Sequence, residues 1–531
     1  MSTLVAASEN RRRLSALLDG SGVPAAVHYV SLVVAFIVIA FLARNQWFFF
    51  DEWSFLSDPN GELWSGHAGH WSTVAVLVWM LIRSVFGIGS YFPFVLLAVA
   101  THVVVMHLLW RLMRRIGVDP WVATSVAGLG LLLGAASENL LWAFQYGYMG
   151  AVGFALGAVL LARRGPLSLP RAVGIAVLLT VGAATSGTAL PFFLTVAVVL
   201  WRLHGFPKAA MVMAGPVAVY LGWYLLIAGE NPNDYLRATG VDILLTPEFM
   251  GAMFVESLGR IIPLPYAGIA VVAVLAIFIA VSLRKRLTDE MLIGVAMAGA
   301  GIVFAALTAY SRWGTTVATA DSGRYVYMVF VTLAPIIAVG LTRISTSIPS
   351  RAFIVSILAV LAVYNTGQLV TAAREEAGRE SFVRQAMSAG VDLARMNPDA
   401  VDLAATPDSL YFPFSLRLAV DLADDGLDLG EYSHRAWLTA LAGVGLTVDD
   451  DAAPLPNCVA ASPGTLVPAD AVITTSSDTT VGMAAIADGE YGQPRDLRLT
   501  PGTHSVATFD RTPIVITSTS SPAEVCSDGE E

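Results

Sequence analysis

Residues 28–53, which read HYVSLVVAFIVIAFLARNQWFFFDEW, indicate the fold class most directly. It begins as an uncharged apolar run of the kind that crosses a bilayer as a helix, which takes roughly 17–25 residues. Aromatic residues of the type found at membrane–water boundaries follow, and then come Asp51 and Glu52. Arg11–Arg13 precede the run, as in a signal peptide, but no clean small-residue cleavage site ends it. We therefore expect a retained membrane anchor that leads directly into a pair of acids.

The composition extends this interpretation to most of the chain. Hydrophobic residues make up 56% and charged residues only 14%, with a mean hydropathy of +0.66, whereas about a quarter of a typical soluble domain is charged. A soluble cytoplasmic enzyme, a coiled coil and a disordered protein are thereby excluded. The apolar runs predict about eleven transmembrane helices, at approximately 24–43, 90–112, 120–136, 146–162, 171–185, 187–202, 208–228, 263–283, 290–310, 325–342 and 352–370.

Charge is unevenly distributed along the chain. Residues 1–370 hold 22 Lys+Arg and 16 Asp+Glu, whereas residues 371–531 hold 9 and 25, which gives the overall −10. This acidic tail would repel phosphates, so we do not expect nucleic acid as a partner. Both cysteines, Cys458 and Cys526, lie in the tail and suffice for one disulfide.

The basic residues predict the orientation in the membrane. With the N-terminus inside, the inner segments carry 16 Lys+Arg, among them Lys285 and Arg286, and the outer segments before the tail carry 6. We expect a multi-pass protein of the cell membrane in the lipid bilayer, with a cytoplasmic segment 1–23, a transmembrane domain 24–370 and an extracytoplasmic domain 371–531. A Cys458–Cys526 disulfide is chemically permitted outside the cytoplasm.

The long polar loops lie on the predicted outer side. In the first, 44–89, the apolar half from Trp71 to Phe86 predicts a helix lying in the interface. The loop at 229–262 is next in length. In the tail, the pattern from Ala372 to Met396 is helical, and from about 455 onward segments rich in Thr, Ser and Val predict short β-strands. The fold class is thus an α-helical polytopic membrane protein with a C-terminal α/β or β-rich domain.

Three acids are candidates for chemistry. A carboxylate such as Asp51 or Glu52, where the chain leaves the hydrocarbon, has a raised proton affinity and can act as a general base or hold a divalent cation. The alternative is two solvated loop acids beside an aromatic belt. Glu138 at the outer end of the third predicted span is unusual at this depth and points to the same cavity, unless it is a helix-end charge in headgroup water.

Histidines and arginines in the outer segments are further candidates. His67 and His70, three residues apart, could share a helical face and bind a metal or a phosphate, or could cap the following helix. With no cysteine or third histidine nearby, we do not expect a structural zinc site. Arg312 and Arg324 carry the donor fork that binds phosphate, although interfacial arginines also anchor to lipid headgroups.

Together these features resemble the GT-C superfamily, integral-membrane glycosyltransferases that use polyprenyl-phosphate sugars. The resemblance covers about residues 24–370, although the arginine-rich, multi-acid loops of some members are missing. The tail is similar in position and acidity to the extracytoplasmic domains of many members, and the low lysine content is typical of a high-GC bacterium, of actinobacterial type. The matching pieces are Asp51-Glu52, His67 to Trp71 before the interface helix, the Gly87 to Tyr91 turn, Glu138, and Ser322-Gly-Arg324-Tyr325, which looks like a late arginine motif.

This resemblance implies transfer of a sugar from a polyprenyl-phosphate donor to an extracytoplasmic glycan, lipid or protein acceptor, in cell-envelope biogenesis. Asp51 would be the catalytic base, Glu52 a supporting residue or metal contact, and Glu138 a second acid across the cavity. A divalent cation, Mg or Mn, could assist the leaving phosphate. The residues expected to bind substrate are His67, His70, Gln145, Arg312, Arg324 and Tyr325.

Two other classes of protein stay open. A transporter or flippase of lipid-linked sugar would need ionisable or helix-breaking residues at mid-membrane and paired repeats. Pro216 and Pro335 lie within predicted spans, but no charge accompanies them and no repeat is visible. An outer-leaflet glycan polymerase or ligase would use outer arginines without needing the acid pair.

Overall fold

The computed structural model describes residues 22–228, 236–284, 288–315, 319–399, 401–407, 412–450, 452–508 and 510–528. Arg11–Arg13, Lys285 and Arg286, on which the predicted orientation partly depends, lie outside the described residues, as does most of segment 1–23. The chain divides into two compact units. The first comprises Met1–Asn45, Asp58–Ile82 and Phe92–Glu375, and the second comprises Gln46–Ser57, Arg83–Tyr91 and Glu376–Glu531.

Helices account for nearly all regular structure up to residue 396. Those up to residue 204 are α1 Gly22–Ala43, α2 Glu52–Ser57, α3 Pro59–Ser65, α4 Thr73–Phe86, α5 Phe92–Arg115, α6 Pro120–Leu131, α7 Ser137–Leu141, α8 Gln145–Ala162, α9 Leu169–Thr185 and α10 Leu190–His204. The next are α11 Phe206–Leu226, α12 Asp242–Ile261, α13 Ala267–Leu283, α14 Asp289–Ser311, α15 Gly323–Ile344 and α16 Ile348–Met396. Short 3₁₀ turns span Gly134–Ala136, Gly187–Ala189 and Trp313–Thr315.

The polytopic helical fold predicted from the apolar runs is confirmed. Among the described residues, eight helices are long and apolar enough to cross a membrane, and nine if α6 and Gly134–Leu141, bent by 45° relative to each other, form one span. The shorter apolar helices α9 and α13 coincide with two further predicted spans. Thr73–Phe86, the predicted interface helix, has 14 residues, too few to cross a bilayer.

Local sequence explains where these helices begin. Before α6, the Asp119 side chain accepts hydrogen bonds from the backbone N–H groups of Trp121 at 2.9 Å and Val122 at 3.2 Å. Pro120 takes the first helical position, where its missing N–H costs nothing. Such a cap satisfies donors that have no partner within the helix, so the turn between the second and third predicted spans is fixed by the Asp-Pro pair.

The prediction of a loop over 229–262 is wrong for its second half, which forms α12. Acidic and basic residues interrupt the apolar run there, and this hides the helix from a search for uncharged spans. The helical period persists nevertheless, because Phe249, Met253, Ser257 and Ile261 are buried at four-residue intervals.

The second unit contains α2, the C-terminal parts of α4 and α16, two further helices and ten described strands. The helices are α17 Leu416–Asp424 and α18 His434–Val444, and the strands are β1 Leu446–Asp449, β2 Asn457–Ala460, β3 Leu466–Val467, β4 Val472–Thr475, β5 Thr479–Ala487, β6 Glu490–Tyr491, β7 Arg495–Leu499, β8 Gly502–Thr508, β9 Ile514–Thr519 and β10 Ala523–Ser527. One antiparallel sheet has the order β1-β8-β4-β10-β2, and the other has β3-β9-β5-β6 with β7 also paired to β5. The predicted β-rich C-terminal region is thus confirmed. Cys458 and Cys526 lie directly opposite each other on β2 and β10 and form a disulfide.

Candidate functional site

The acid pair belongs to the second unit, where its two members have different surroundings. Glu52 is fully buried at the first position of α2. One of its carboxylate oxygens accepts from the Phe49 backbone N–H at 2.8 Å and the other from the Tyr91 hydroxyl at 2.8 Å. Asp51 is partly exposed and follows Phe50, whose φ of 44° is strained for a residue with a side chain. The structure therefore separates an anchoring acid from one that reaches solvent.

The aromatic residues around this pair form a core. Trp53 is 0% exposed and Phe48 1% exposed, and the Phe48 ring meets the Tyr91 ring in a T-shaped arrangement with centroids 4.9 Å apart. The prediction that the aromatic residues beside the acid pair are exposed interface anchors is therefore wrong for Phe48 and Trp53, because their rings pack within the second unit. Phe50 is 37% exposed, and its role as an interface anchor stays a prediction.

In the first unit, Glu138 and Arg324 meet at the N-terminus of α15. The Glu138 carboxylate accepts from the Ser322 hydroxyl at 2.7 Å and from the Arg324 backbone N–H at 3.2 Å, and lies 3.5 Å from the Arg324 Nε. Since the first N–H groups of a helix have no partner within it, an acid at this place is favourable. A Cβ on Gly323 would come within 2.9 Å of the Glu138 Cβ, so glycine permits the close approach. The Arg324 side chain remains 40% exposed.

Two residues near Arg324 were not singled out in the sequence. The Tyr148 hydroxyl on α8 donates to the Arg324 carbonyl at 2.9 Å. Arg260, at the end of α12, lies 3.5 Å from the Asp321 carboxylate and also donates to the Asp321 carbonyl. The amphipathic period of α12 was the signal that could have placed Arg260 at a helix end rather than in a loop.

Other predicted substrate-binding residues lie at helix ends of the first unit. The Gln145 side-chain oxygen is buried and accepts from the Asn139 amide at 3.3 Å. The Tyr325 ring packs 6.0 Å from that of Phe304. Arg312 directly follows α14, and its backbone N–H donates to the carbonyl of Thr308. The Tyr325 ring also lies 5.6 Å from the Arg324 guanidinium, whereas the contacts named for Gln145 and Arg312 do not reach the Glu138–Arg324 pair.

His67 and His70 do not share a helix. Their backbones exchange two hydrogen bonds, of 2.9 Å and 2.8 Å, across a tight turn. Ala68 and Gly69 both have positive φ there, as in a type I′ turn. Gly69 suits its positive φ, whereas Ala68 takes a backbone conformation that is rare for a residue with a side chain. The His67 Nδ1 lies 3.1 Å from the Glu62 carboxylate.

The first unit also contains an apolar cavity of about 450 Å³. It is bounded by side chains of α4, α5, α8 and α9, and three glycines of α8, Gly150, Gly153 and Gly157, give it width. Its walls offer hydrocarbon and almost no hydrogen-bonding groups. Such a cavity suits an apolar chain.

Among the described residues, one group of three potential metal ligands has its ligand atoms close together: Cys458, Glu524 and Cys526. Its two cysteines are joined in the disulfide and so are not thiolate ligands.

The fold and the site together define a multi-pass membrane protein with a β-rich C-terminal region, a partly exposed acid on one unit and an arginine–acid pair on the other.

Comparison with known proteins gives one distant likeness. No family model matches the sequence, and no curated protein matches it. The chain is similar to the crystal structure of ArnT from Cupriavidus metallidurans bound to undecaprenyl phosphate, with 15% identity, 74% of this chain and 84% of that chain covered, and a TM-score of 0.46. The function proposed below therefore rests on the residues of this chain.

Proposed function

We propose that the protein is a membrane glycosyltransferase of GT-C type, which moves a sugar from a polyprenyl-phosphate donor to an extracytoplasmic glycan, lipid or protein acceptor. The observation that carries the proposal is the split between Glu52, buried and anchored, and Asp51, partly exposed after the strained Phe50. Backbone strain that the surrounding contacts maintain is typical of functional sites. An acid held in this way can take a proton in a fixed position.

In the proposed reaction Asp51 is the general base. Its carboxylate takes the proton of an acceptor hydroxyl, the hydroxyl oxygen bonds to the anomeric carbon of the sugar, and the bond from that carbon to the phosphate oxygen breaks. The electron pair leaves with the polyprenyl phosphate. Both oxygens of Glu52 accept hydrogen bonds, so we assign Glu52 to support of the segment rather than to a metal.

Arg324 is the proposed partner of the donor phosphate. Its guanidinium is partly exposed beside the N-terminus of α15, and a planar fork of donors suits phosphate. The Glu138 carboxylate contacts Ser322 and Arg324. We therefore propose that Glu138 orients the Arg324 side chain and does not act as a second catalytic acid. That Glu138 and Asp51 face one cavity stays a prediction.

The lipid character of the donor is supported by the apolar cavity along α8. Its hydrocarbon walls can accommodate an isoprenoid or acyl chain without leaving a buried polar group unpaired. The excess of basic residues in alternate connections supports a cytoplasmic N-terminus and an extracytoplasmic C-terminal domain. Donor phosphate and acceptor would then meet outside the cytoplasm.

The test is incubation of the purified protein with radiolabelled polyprenyl-phosphate mannose, glucose and arabinose, each with and without an envelope glycan extract. Transfer of label to the glycan, or slow release of free sugar without it, is expected for one donor. A transporter or flippase would instead move a fluorescent lipid-linked sugar across proteoliposomes without breaking a covalent bond. That result, together with no transfer and no release, would overturn the proposal.

A further inference from the structure

The segment that carries Asp51 is bound by a residue more than three hundred positions away. Backbone positions 46–49 have no regular secondary structure, so their N–H groups need acceptors from elsewhere. The Trp47 N–H donates to the Glu380 carboxylate on α16 at 2.6 Å, and the Phe49 N–H donates to Glu52. Two carboxylates thus hold alternate N–H groups immediately before the strained Phe50.

The Glu380 side chain is buried together with Trp47, a residue from a distant part of the sequence. It is 7% exposed, and Trp47 is 5% exposed. Burial raises the pKa of Glu380 well above its usual value, the Trp47 N–H opposes this rise, and the nearby Glu52 adds to it. An unpaired polar group in such a place costs free energy, and the hydrogen bond to Trp47 offsets that cost.

A second contact from the C-terminal region fixes the other side of the same segment. The Trp53 ring lies 4.9 Å from the Phe412 ring in a T-shaped arrangement, and both side chains are 0% exposed. In the sequence, Asp51 therefore lies between Trp47, which is hydrogen-bonded to α16, and Trp53, whose ring contacts Phe412. All of these residues belong to the second unit.

We propose that Glu380 is a positioning residue for Asp51: by accepting the Trp47 N–H it holds residues 46–49 in the path that makes Phe50 turn and presents the Asp51 carboxylate. The inference rests on the proposed function, because it takes Asp51 as the base. The C-terminal region then contributes to catalysis through the geometry of the first outer loop.

Two variants separate the effect of side-chain length at position 380 from the effect of an ionisable carboxyl group. Glu380→Gln keeps the length and an acceptor oxygen, but cannot ionise. Glu380→Asp keeps the carboxylate and withdraws it by about 1.5 Å, one carbon–carbon bond. If Glu380 positions Asp51, Gln should retain kcat within about threefold, whereas Asp should lower kcat by about 10–100-fold with the donor KM unchanged, because a misplacement of about 1 Å can cost a hundredfold.

The matched control is Glu375→Gln on the same helix, where the side chain is exposed; its kcat should equal that of the wild type. Hydrogen exchange of the Trp47 amide, measured on the full-length protein in nanodiscs, provides a readout that needs no substrate. Exchange should be faster in Glu380→Asp than in the wild type and in Glu380→Gln.

The outcomes keep the two proposals distinct. Unchanged Trp47 exchange in Glu380→Asp, or an Asp variant more active than the Gln variant, overturns the positioning role, whatever the reaction proves to be. Wild-type turnover by Asp51→Asn overturns the assignment of the base instead. If Asp51→Asn is inactive while Glu380→Asp retains full kcat, the base stands and the positioning role fails.

Discussion

Replacing Asp51 with asparagine tests the proposed reaction most directly, because the structure predicts that activity and folding will respond separately. Asp51 is partly exposed, and surface substitutions usually change stability by less than about 0.5 kcal/mol. An amide cannot take the acceptor proton, and loss of a general base costs about 10²–10⁴ in rate. We therefore expect Asp51→Asn to insert and unfold like the wild type while its kcat falls by at least about a hundredfold.

Glu52→Gln is the matched control, and it should behave in the opposite way. Glu52 is 0% exposed and accepts from both the Phe49 N–H and the Tyr91 hydroxyl. A glutamine has one acceptor oxygen and places its NH₂ group against the remaining donor. One buried donor then lacks an acceptor, which costs about 1–3 kcal/mol of stability.

Single-turnover transfer from the radiolabelled donor, normalised to folded protein, separates the two effects, and thermal unfolding in detergent gives the stability. Per folded molecule, Glu52→Gln should retain more activity than Asp51→Asn. Wild-type turnover by Asp51→Asn would refute the assignment of the base, and the transporter interpretation would gain most.

Four further predictions follow from the sequence and the structure. Reduction of Cys458–Cys526 should destabilise the β-rich region by about 4 kcal/mol in the chain-entropy model, measured by thermal unfolding with and without dithiothreitol; an unchanged transition would contradict it. Arg324→Lys keeps the charge but loses the planar fork, so binding of a polyprenyl-phosphate analogue should weaken, and unchanged binding would reassign Arg324 to lipid anchoring. A reporter active only outside the cytoplasm should be active when fused after residue 531, and activity of a cytoplasmic reporter there would contradict the orientation. A fragment of residues 376–531 alone should expose apolar surface and bind a hydrophobic dye more strongly than the full-length protein, because Trp53 no longer covers Phe412.

The membrane part of the fold could be predicted because apolarity is a local property of the sequence. Each predicted span overlaps a described helix, although α6 ends at Leu131 within the predicted span 120–136. Long uncharged apolar runs form helices because a helix satisfies the backbone hydrogen bonds that lipid cannot. The same criterion missed α12, whose charged residues interrupt the run while its buried positions keep the helical period. The helix was visible in the spacing of residues but not in their average polarity.

The candidate site was less predictable, because its contacts join residues that are distant in the sequence. The different surroundings of the Asp51 and Glu52 side chains could be anticipated, since adjacent side chains in a regular segment point in different directions. The partners of these acids could not be anticipated. The Glu138–Arg324 contact joins positions 186 residues apart, and Trp47 and Glu380 are 333 residues apart.

The aromatic residues beside the acid pair illustrate why composition alone predicted the wrong surroundings for Phe48 and Trp53. Trp and Phe beside an apolar span have the residue types of an interface belt, and the same residue types also build a buried core. What decides between the two is the presence of a partner surface. Here Tyr91 and Phe412, on separate segments of the same unit, provide rings at 4.9 Å from Phe48 and Trp53. The segment that follows the first span therefore takes its conformation from contacts with residues that are distant in the sequence. Since Asp51 lies inside that segment, the position of the proposed base depends on the same distant contacts.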